Sequence, residues 1–423
     1  MSEDTLVSVE NLKKHYTSTK TLSDRLFRRA SPPIKAVDGV SFEITAGKTL
    51  GLVGESGCGK STTGETILAL RSPTGGTVKF DGQKIGDLSD AEVKSFRRRT
   101  GMVFQDPFAS LNPRMTAGQI IREPLSVHDV GTRDEQRDRS KSLLKRVGLS
   151  ADQYDRYPHE FSGGQQQRIA IARALAVEPD FLVLDEPVSA LDVSVQAQIL
   201  NLLADLQTDF GLTYLFIAHD LSVVRYVSDR VAVMYLGNIA EIGPTEAIFE
   251  RPQHPYTKAL LESVPRARLS ESDREITTLE DDVPSPRNPP SGCRFRTRCP
   301  VVIPPTDIDI DQTAYREVMD LRERIEAGTL TATDVDSTTS NTADAGTPSQ
   351  QSMTANSVWP DEISSSLHGD NAAAVKTARA ELHDGNRQAA IETLRDRFET
   401  ICEHDRPEHS DETHHSAACH LRH

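Results

Sequence analysis

Leu50-Gly51-Leu52-Val53-Gly54-Glu55-Ser56-Gly57-Cys58-Gly59-Lys60-Ser61-Thr62 reads as an apolar strand, a glycine-rich turn and the start of a helix. Gly54 to Ser61 fit the pattern G-x-x-x-x-G-K-[ST], and the pattern needs the strand before it and the helix after it. Helix is expected over residues 61–70. The glycines let the backbone wrap an anion with its N–H groups turned inward, and the helix N-terminus adds a favourable dipole. Such a loop holds the phosphates of a nucleotide. Lys60 is expected to bridge β- and γ-phosphate oxygens and Ser61 to ligate Mg²⁺. Cys58 reads as a small loop residue, with a redox role as the alternative.

Outward from this loop, short apolar runs alternate with helical stretches: 41–44, Thr49–Val53, 101–104, 181–184, 214–217 and Arg230–Tyr235. Alternation of this kind implies an α/β domain with a mainly parallel sheet. Between 105 and 161 the strand signal fades. There, 132–147 reads as helix with Leu143, Leu144 and Val147 on one face. Phe181-Leu182-Val183-Leu184-Asp185-Glu186 is an apolar strand ending in two acids. Beside a phosphate loop, Asp185 is placed to hold Mg²⁺ and Glu186 to polarise an attacking water. His219 follows another apolar strand.

The chain has 423 residues and a net charge of −15. That balance lacks the basic footprint of a nucleic-acid binder. Only 13 of the 48 basic residues are lysine, a bias resembling proteins of high-salt cytoplasms, where a negative surface maintains solubility. No apolar run reaches the roughly 18–20 residues that span a bilayer. The first ten residues carry acids and lack an apolar core, so no signal peptide is expected. A membrane role would therefore come through a partner chain. Residues 17–33 read as a polar, basic loop and 284–290 as a proline-rich linker. Residues 329–357 are low-complexity and expected to be disordered, and 371–400 turn helical again.

Phe161-Ser162-Gly163-Gly164-Gln165, followed by Gln166-Gln167-Arg168, resembles the signature motif of ABC ATPases, with Phe161 in place of the usual leucine. It lies between the phosphate loop and the Asp185-Glu186 strand, where that family has it. The segment Gln105-Asp106-Pro107-Phe108-Ala109-Ser110-Leu111-Asn112-Pro113-Arg114 resembles the ATPases of oligopeptide and dipeptide importers, and of these the F-type. So do Ser189-Ala190-Leu191-Asp192-Val193-Ser194 and His254-Pro255-Tyr256-Thr257-Lys258-Ala259-Leu260. Nickel importers share much of this pattern. Residues 5–300 carry the resemblance, which resumes near Cys402.

The resemblance implies an α/β fold: a P-loop NTPase core of ABC type with an antiparallel β subdomain, an inserted helical subdomain and a cysteine-containing C-terminal tail. The ATPase domain would span 1–265, with its helical subdomain at about 106–170. The linker and the start of the cysteine region would take 266–300, an insertion 301–397, and the end of the cysteine region 398–423. ATP and Mg²⁺ would be bound by Tyr16 on adenine, by the loop from Gly54 through Glu55, Ser56, Gly57, Cys58, Gly59, Lys60 and Ser61 to Thr62, and by Asp192. Gln105 would touch Mg²⁺ or the water, and His219 would stand near the γ-phosphate. Ser162, Gly163, Gly164 and Gln165 would close over ATP held by a second ABC ATPase, in a heterodimer. The resemblance further implies an ATPase at the cytoplasmic face of the cell membrane, with two permease subunits and, indirectly, an extracellular solute-binding protein. It implies no nucleic-acid partner. A soluble, non-transport ABC ATPase is the reading from another class.

Gly292-Cys293-Arg294-Phe295-Arg296-Thr297-Arg298-Cys299-Pro300 and Ala418-Cys419-His420-Leu421 match the tail of these importers. With Cys402 they supply four cysteines, which in some members hold a [4Fe–4S] cluster; zinc and unliganded thiols stay open. About a hundred residues separate Cys299 from Cys402, where the family has a handful. Residues 301–397 therefore read as an insertion, largely low-complexity or disordered. Its Asp307, Asp309 and Asp311 read as a solvated acidic loop or a cation site, and His414 and His415 as a polar tail.

Overall fold

The computed structural model describes residues 5–17, 32–263, 283–331, 367–409 and 414–422. They form two units. In the first, strands β1 (Thr5–Tyr16), β2 (Ile34–Thr45), β4 (Gly75–Phe80) and β5 (Gln83–Lys84) make an antiparallel sheet of order β2-β1-β4-β5. A seven-stranded sheet is built from β3 (Thr49–Val53), β6 (Thr100–Val103), β7 (Phe181–Asp185), β8 (Thr213–Ala218), β9 (Arg230–Tyr235), β10 (Asn238–Pro244) and β11 (Ser416–Ala417). Its order is β11-β10-β9-β3-β8-β7-β6. The five strands from β9 to β6 run parallel, and β10 and β11 are antiparallel at one edge.

Every residue of β3, β7 and β8 is buried. Parallel strands covered on both faces read as unbroken apolar runs, which is why these strands were plain in the sequence. Helix α1 (Lys60–Ile67) lies between the two sheets, touching β1 and β2 on one side and β7 and β8 on the other. It stops short of residue 70 because Ala69 turns left-handed, at φ 53°. Strand β2 begins seven residues before the apolar run at 41–44, pairing with β1 along its length.

Helix α2 (Asp90–Arg99) precedes β6. Between β6 and β7 the chain is helical: α3 (Pro107–Ser110), α4 (Ala117–Val127), α5 (Arg133–Arg146) and α6 (Gly163–Leu175). Thr116 with Gln119 and Thr132 with Glu135 cap α4 and α5 reciprocally, each satisfying donors that the first turn leaves open. Leu143, Leu144 and Val147 are buried together, as their spacing implied. Helices α7 (Val193–Phe210), α8 (Leu221–Val227), α9 (Thr245–Glu250) and α10 (Pro255–Glu262) complete this unit.

Over residues 301–331 and 367–397, the second unit corrects the expectation of a largely disordered insertion. Helices α11 (Gln312–Ala327), α12 (Gly369–His383) and α13 (Arg387–Arg397) pack together, followed by the single turn α14 (Ile401–His404). Tyr315, Val318, Met319, Leu321 and Ile325 are buried on α11, Val375 and Leu382 on α12, and Leu394 on α13. The apolar face of α11 escaped notice because charged residues crowd its other positions and Arg322 sits on the buried face. Asp311 caps α11, accepting from Thr313 N at 2.8 Å and Ala314 N at 3.4 Å, which accounts for that acid without a cation. Most of 329–357 and of the 17–33 loop lies outside the described residues. Among the described residues no helix is long and apolar enough to cross a membrane.

Gly51 allows α8 to approach the sheet. A Cβ there would meet Val224 Cγ1 at 2.4 Å and Ser228 Oγ at 2.6 Å. Overpacking of this kind costs about 1–3 kcal/mol. Gly51→Ala is therefore expected to lower the unfolding free energy of the full chain by that amount, read from urea melts.

Candidate nucleotide site

Strand β3 ends in the loop that the sequence singled out. Gly57 and Gly59 take φ of 78° and 110°, and a Cβ on Gly59 would lie 2.0 Å from the Ala36 carbonyl oxygen. Only glycine fits both the dihedral and the approach. Lys60 begins α1, is nearly buried, and donates from Nζ to the carbonyls of Gly54 at 2.8 Å and Glu55 at 3.0 Å. Cys58 is buried, which pushes its thiol up to about 11 despite the Lys60 charge. Thiolate is the reactive form, and burial disfavours it at Cys58.

Two strands away, β7 delivers its acids to the same edge. The Ser61 hydroxyl donates to Asp185 Oδ1 at 2.9 Å. Burial pushes the Asp185 carboxyl up to about 6, with Glu186 and Glu65 adding to the rise. Glu186 follows in the left-handed region, φ 44°, with its N–H on the Ile217 carbonyl at 2.9 Å. Backbone strain of this kind gathers at functional sites. The turn aims the Glu186 carboxylate at two side chains: Gln105 Nε2 at 3.1 Å and His219 Nδ1 at 2.9 Å. Four residues chosen from sequence for hydrolysis chemistry, Gln105, Asp185, Glu186 and His219, thus meet at one sheet edge. The hydroxyl and carboxylate oxygens of Ser61 and Asp185 are hard donors of the kind Mg²⁺ takes.

Tyr16 ends β1 with Lys14 Nζ 5.1 Å and Arg71 Cζ 5.6 Å from its ring centre. Asp192 caps α7, accepting from Val195 N at 3.0 Å. The signature residues stand apart. Ser162 caps α6, its N–H donating to Gln165 Oε1 at 3.0 Å while its hydroxyl accepts from Gln165 N at 3.4 Å. Ser162 is exposed and Gly163 and Gly164 are half-buried. Among the described residues, no hydrogen bond or ion pair joins these four residues to Lys60, Asp185 or Glu186.

Sequence reasoning passed over a buried group behind the loop. The Tyr256 hydroxyl accepts from Glu55 N at 3.0 Å. Tyr256 N–H donates to His254 Nδ1 at 3.0 Å. Glu241, wholly buried, accepts from the backbone N–H groups of Gln253 and His254, each at 2.8 Å, and pairs with His415 Nε2 at 2.7 Å. His415 is therefore the partner of a buried carboxylate, beyond its reading as polar tail. No local signal in the segment 254–260 shows the contact of Tyr256 with Glu55, because Glu55 lies 201 positions away in sequence.

The four C-terminal cysteines all lie in the second unit. Cys293 N donates to the Cys402 carbonyl at 2.8 Å, and a Cβ on Gly292 would fall 2.4 Å from that oxygen. The two segments are thus held close. Burial pushes the Cys293 thiol up to about 12, with Cys402 and Cys419 adding to the rise, and raises Cys299 further. The thiols share a neighbourhood, yet among the described residues no three Cys, His, Asp or Glu side chains converge closely enough to hold a metal ion.

The oligopeptide transport ATP-binding protein AppF of Bacillus subtilis is 53% identical over 305 residues, covering 72% of this chain and 92% of AppF. The chain belongs to the ABC transporter ATP-binding family. The family model for ABC transporters matches residues 37–189 of this ABC ATPase, and that for the oligopeptide/dipeptide transporter C-terminal region matches 240–304. A domain of unknown function (DUF8228) matches 312–415, the stretch that holds the helices of the second unit. A putative peptide import ATP-binding protein of Brucella ovis is 53% identical over 304 residues, 72% of this chain and 92% of its own. Among solved structures, the dimeric ATP-binding cassette MJ0796, in a post-hydrolysis state with ADP and Pi, aligns with a TM-score of 0.50 and 33% identity. It covers 57% of this ABC ATPase and 99% of MJ0796.

His254 carries a pH dependence. Burial, with His409 nearby, lowers its imidazole to about 3, opposed by a hydrogen bond with the backbone of Ala418. A base depressed in the fold contributes stability that is complete above its ordinary value of about 6.5 and is lost as pH falls toward 3. The unfolding free energy should fall by up to about 1.4 kcal/mol per pH unit below pH 6.5 from this group. A shallower fall is expected in His254→Asn, measured by denaturant melts between pH 7 and 4.

Proposed function

We propose that the chain is the ATP-hydrolysing subunit of an importer of oligopeptides and dipeptides. What carries the reading is the 53% identity that extends over 92% of AppF, together with the match of residues 240–304 to the transporter C-terminal region. The names of these relatives favour peptide over nickel as cargo. Two permease subunits would be the membrane partners, and the chain would work at the cytoplasmic face. A second ABC ATPase would complete the motor, with a solute-binding protein delivering cargo outside.

The proposed chemistry assigns each residue a task. Lys60 and the amides of the loop from Gly54 to Thr62 bind phosphates, and Tyr16 stacks on adenine. Mg²⁺, held by Ser61 and Asp185 with Gln105 beside it, would offset charge on the β- and γ-phosphates. Glu186 orients the attacking water in line with the γ-phosphorus, while His219 and Gln105 fix the direction of its carboxylate. Ser162, Gly163, Gly164 and Gln165 cap the γ-phosphate bound to the partner ATPase. Gly163 and Gly164 lie in the first turn of α6, whose N–H groups have no partner within the helix. Asp192, at the start of α7, would take part in binding the nucleotide. ATP then joins two subunits, and its hydrolysis releases them. Closure is favoured because ATP binds the closed pair better.

The test uses the chain with its cognate permeases in vesicles. Glu186→Gln should retain ATP binding, lower turnover at least about 100-fold, and stop peptide uptake. Wild-type turnover in that variant would remove Glu186 from the mechanism, and wild-type vesicles that fail to take up any di- or oligopeptide would remove the cargo assignment.

No step of hydrolysis passes through the cysteine tail, which carries its own proposal. Cys293, Cys299, Cys402 and Cys419 are the residues that would hold a [4Fe–4S] cluster. Protein purified without oxygen is then brown, and Cys293→Ser removes the colour. A colourless, iron-free preparation overturns this assignment.

A further inference from the structure

The peptide unit joining Gly54 to Glu55 is held at both polar ends. Its N–H, that of Glu55, donates to the Tyr256 hydroxyl at 3.0 Å. Its carbonyl, that of Gly54, accepts from Lys60 Nζ at 2.8 Å. The unit is trans, so it is planar and the two groups point in opposite directions. Fixing the N–H therefore fixes the carbonyl.

The geometry points to Tyr256 as a positioning residue for ATP hydrolysis: through the Gly54–Glu55 peptide, its hydroxyl sets where the Lys60 ammonium stands. This deepens the reading of the loop as the ATP phosphate site and rests on it.

Two features give the hydroxyl this leverage. Gly54 has no side chain to resist rotation of the peptide that follows it. It must be glycine, because a Cβ there would lie 2.1 Å from the Met234 carbonyl oxygen. The restraint on the peptide then has to come from outside the loop. Tyr256 itself is rigidly seated. It is wholly buried, its ring lies 4.7 Å from that of Tyr235, and its backbone N–H is tied to His254. His254 is tied in turn to Glu241, and Glu241 to His415 on the returning C-terminal segment. The bland alternative is a buried phenol that has found an acceptor's role for its own sake. The two differ in what removal of one oxygen does to nucleotide.

The experiment compares the full-length chain with Tyr256→Phe, which keeps the ring and its packing. ATPase kinetics and binding of a fluorescent ATP analogue are measured, with melting temperatures taken with and without ATP. Loss of one such bond at the site should raise KM and Kd about three- to tenfold. The rise in melting temperature caused by ATP should shrink, while the ligand-free melting temperature moves little. Unchanged KM and Kd, with or without a lower ligand-free melting temperature, overturn the inference. If wild-type protein binds no ATP, the phosphate-loop reading fails instead. Hydrogen exchange of the Glu55 amide in wild-type protein is a second measurement that needs no variant: protection is expected, and exchange at the rate of open loop overturns the proposal.

Discussion

Parallel pairing of β3 with β8 on one side and β9 on the other governs where the chemistry is assembled. The register sets Val53 against Ala218 and Ile217 against Asp185. Strands that run the same way end at the same edge, and in such sheets the edge at the strand ends is where ligands bind. The turn after β3 supplies Lys60, the turn after β6 supplies Gln105, β7 ends in Asp185 with Glu186 following, and His219 follows β8. None of these residues neighbours another in sequence except Asp185 and Glu186. Hydrogen bonds of the sheet, formed largely by residues with no chemistry of their own, bring Asp185 to Ser61, and Gln105 and His219 to Glu186, at 2.9–3.1 Å.

The buried parallel strands were legible because a strand covered on both faces needs an apolar side chain at nearly every position, and a short unbroken run supplies that. The phosphate loop was legible because glycine, lysine and serine at fixed spacing each answer a separate physical need. Less could be read where a residue's meaning depends on a distant partner. Glu241 looks like any strand acid until His415 arrives from 174 positions away. Tyr256 carries no hint that its hydroxyl reaches Glu55. The signature residues were recognised only by likeness; in this chain they form a capped helix start with Ser162 exposed, and their proposed pairing with ATP involves another subunit.

The second unit makes the same point through charge. Arg322 is almost fully buried on α11 and pairs with Glu403, with a further hydrogen bond to the Phe398 carbonyl at 3.1 Å. Burial pushes the carboxyl of nearby Glu323 up to about 7 although Arg296 lies 3.1 Å away. A pattern search that assigns every arginine and glutamate to solvent reads such helices as polar and unstable. Desolvated charge is costly unless paired, and the partners of Arg322 come from a segment about 80 residues downstream. Composition alone therefore understated how much of this stretch folds.

Strand β11 has one more consequence. It is formed by Ser416 and Ala417 yet lies against β10, at Ile242 and Glu241. The ATPase sheet thus gains its outermost strand from residues that leave the ribosome only after helices α11 to α14 have been made. Closing so long a loop costs little more than closing a short one, but the timing is fixed by translation. A nascent chain, or one cut short before residue 415, would leave Glu241 with the N–H groups of Gln253 and His254 but without the His415 imidazole. The outer edge of the ATPase sheet is therefore complete only once the C-terminal segment has been made.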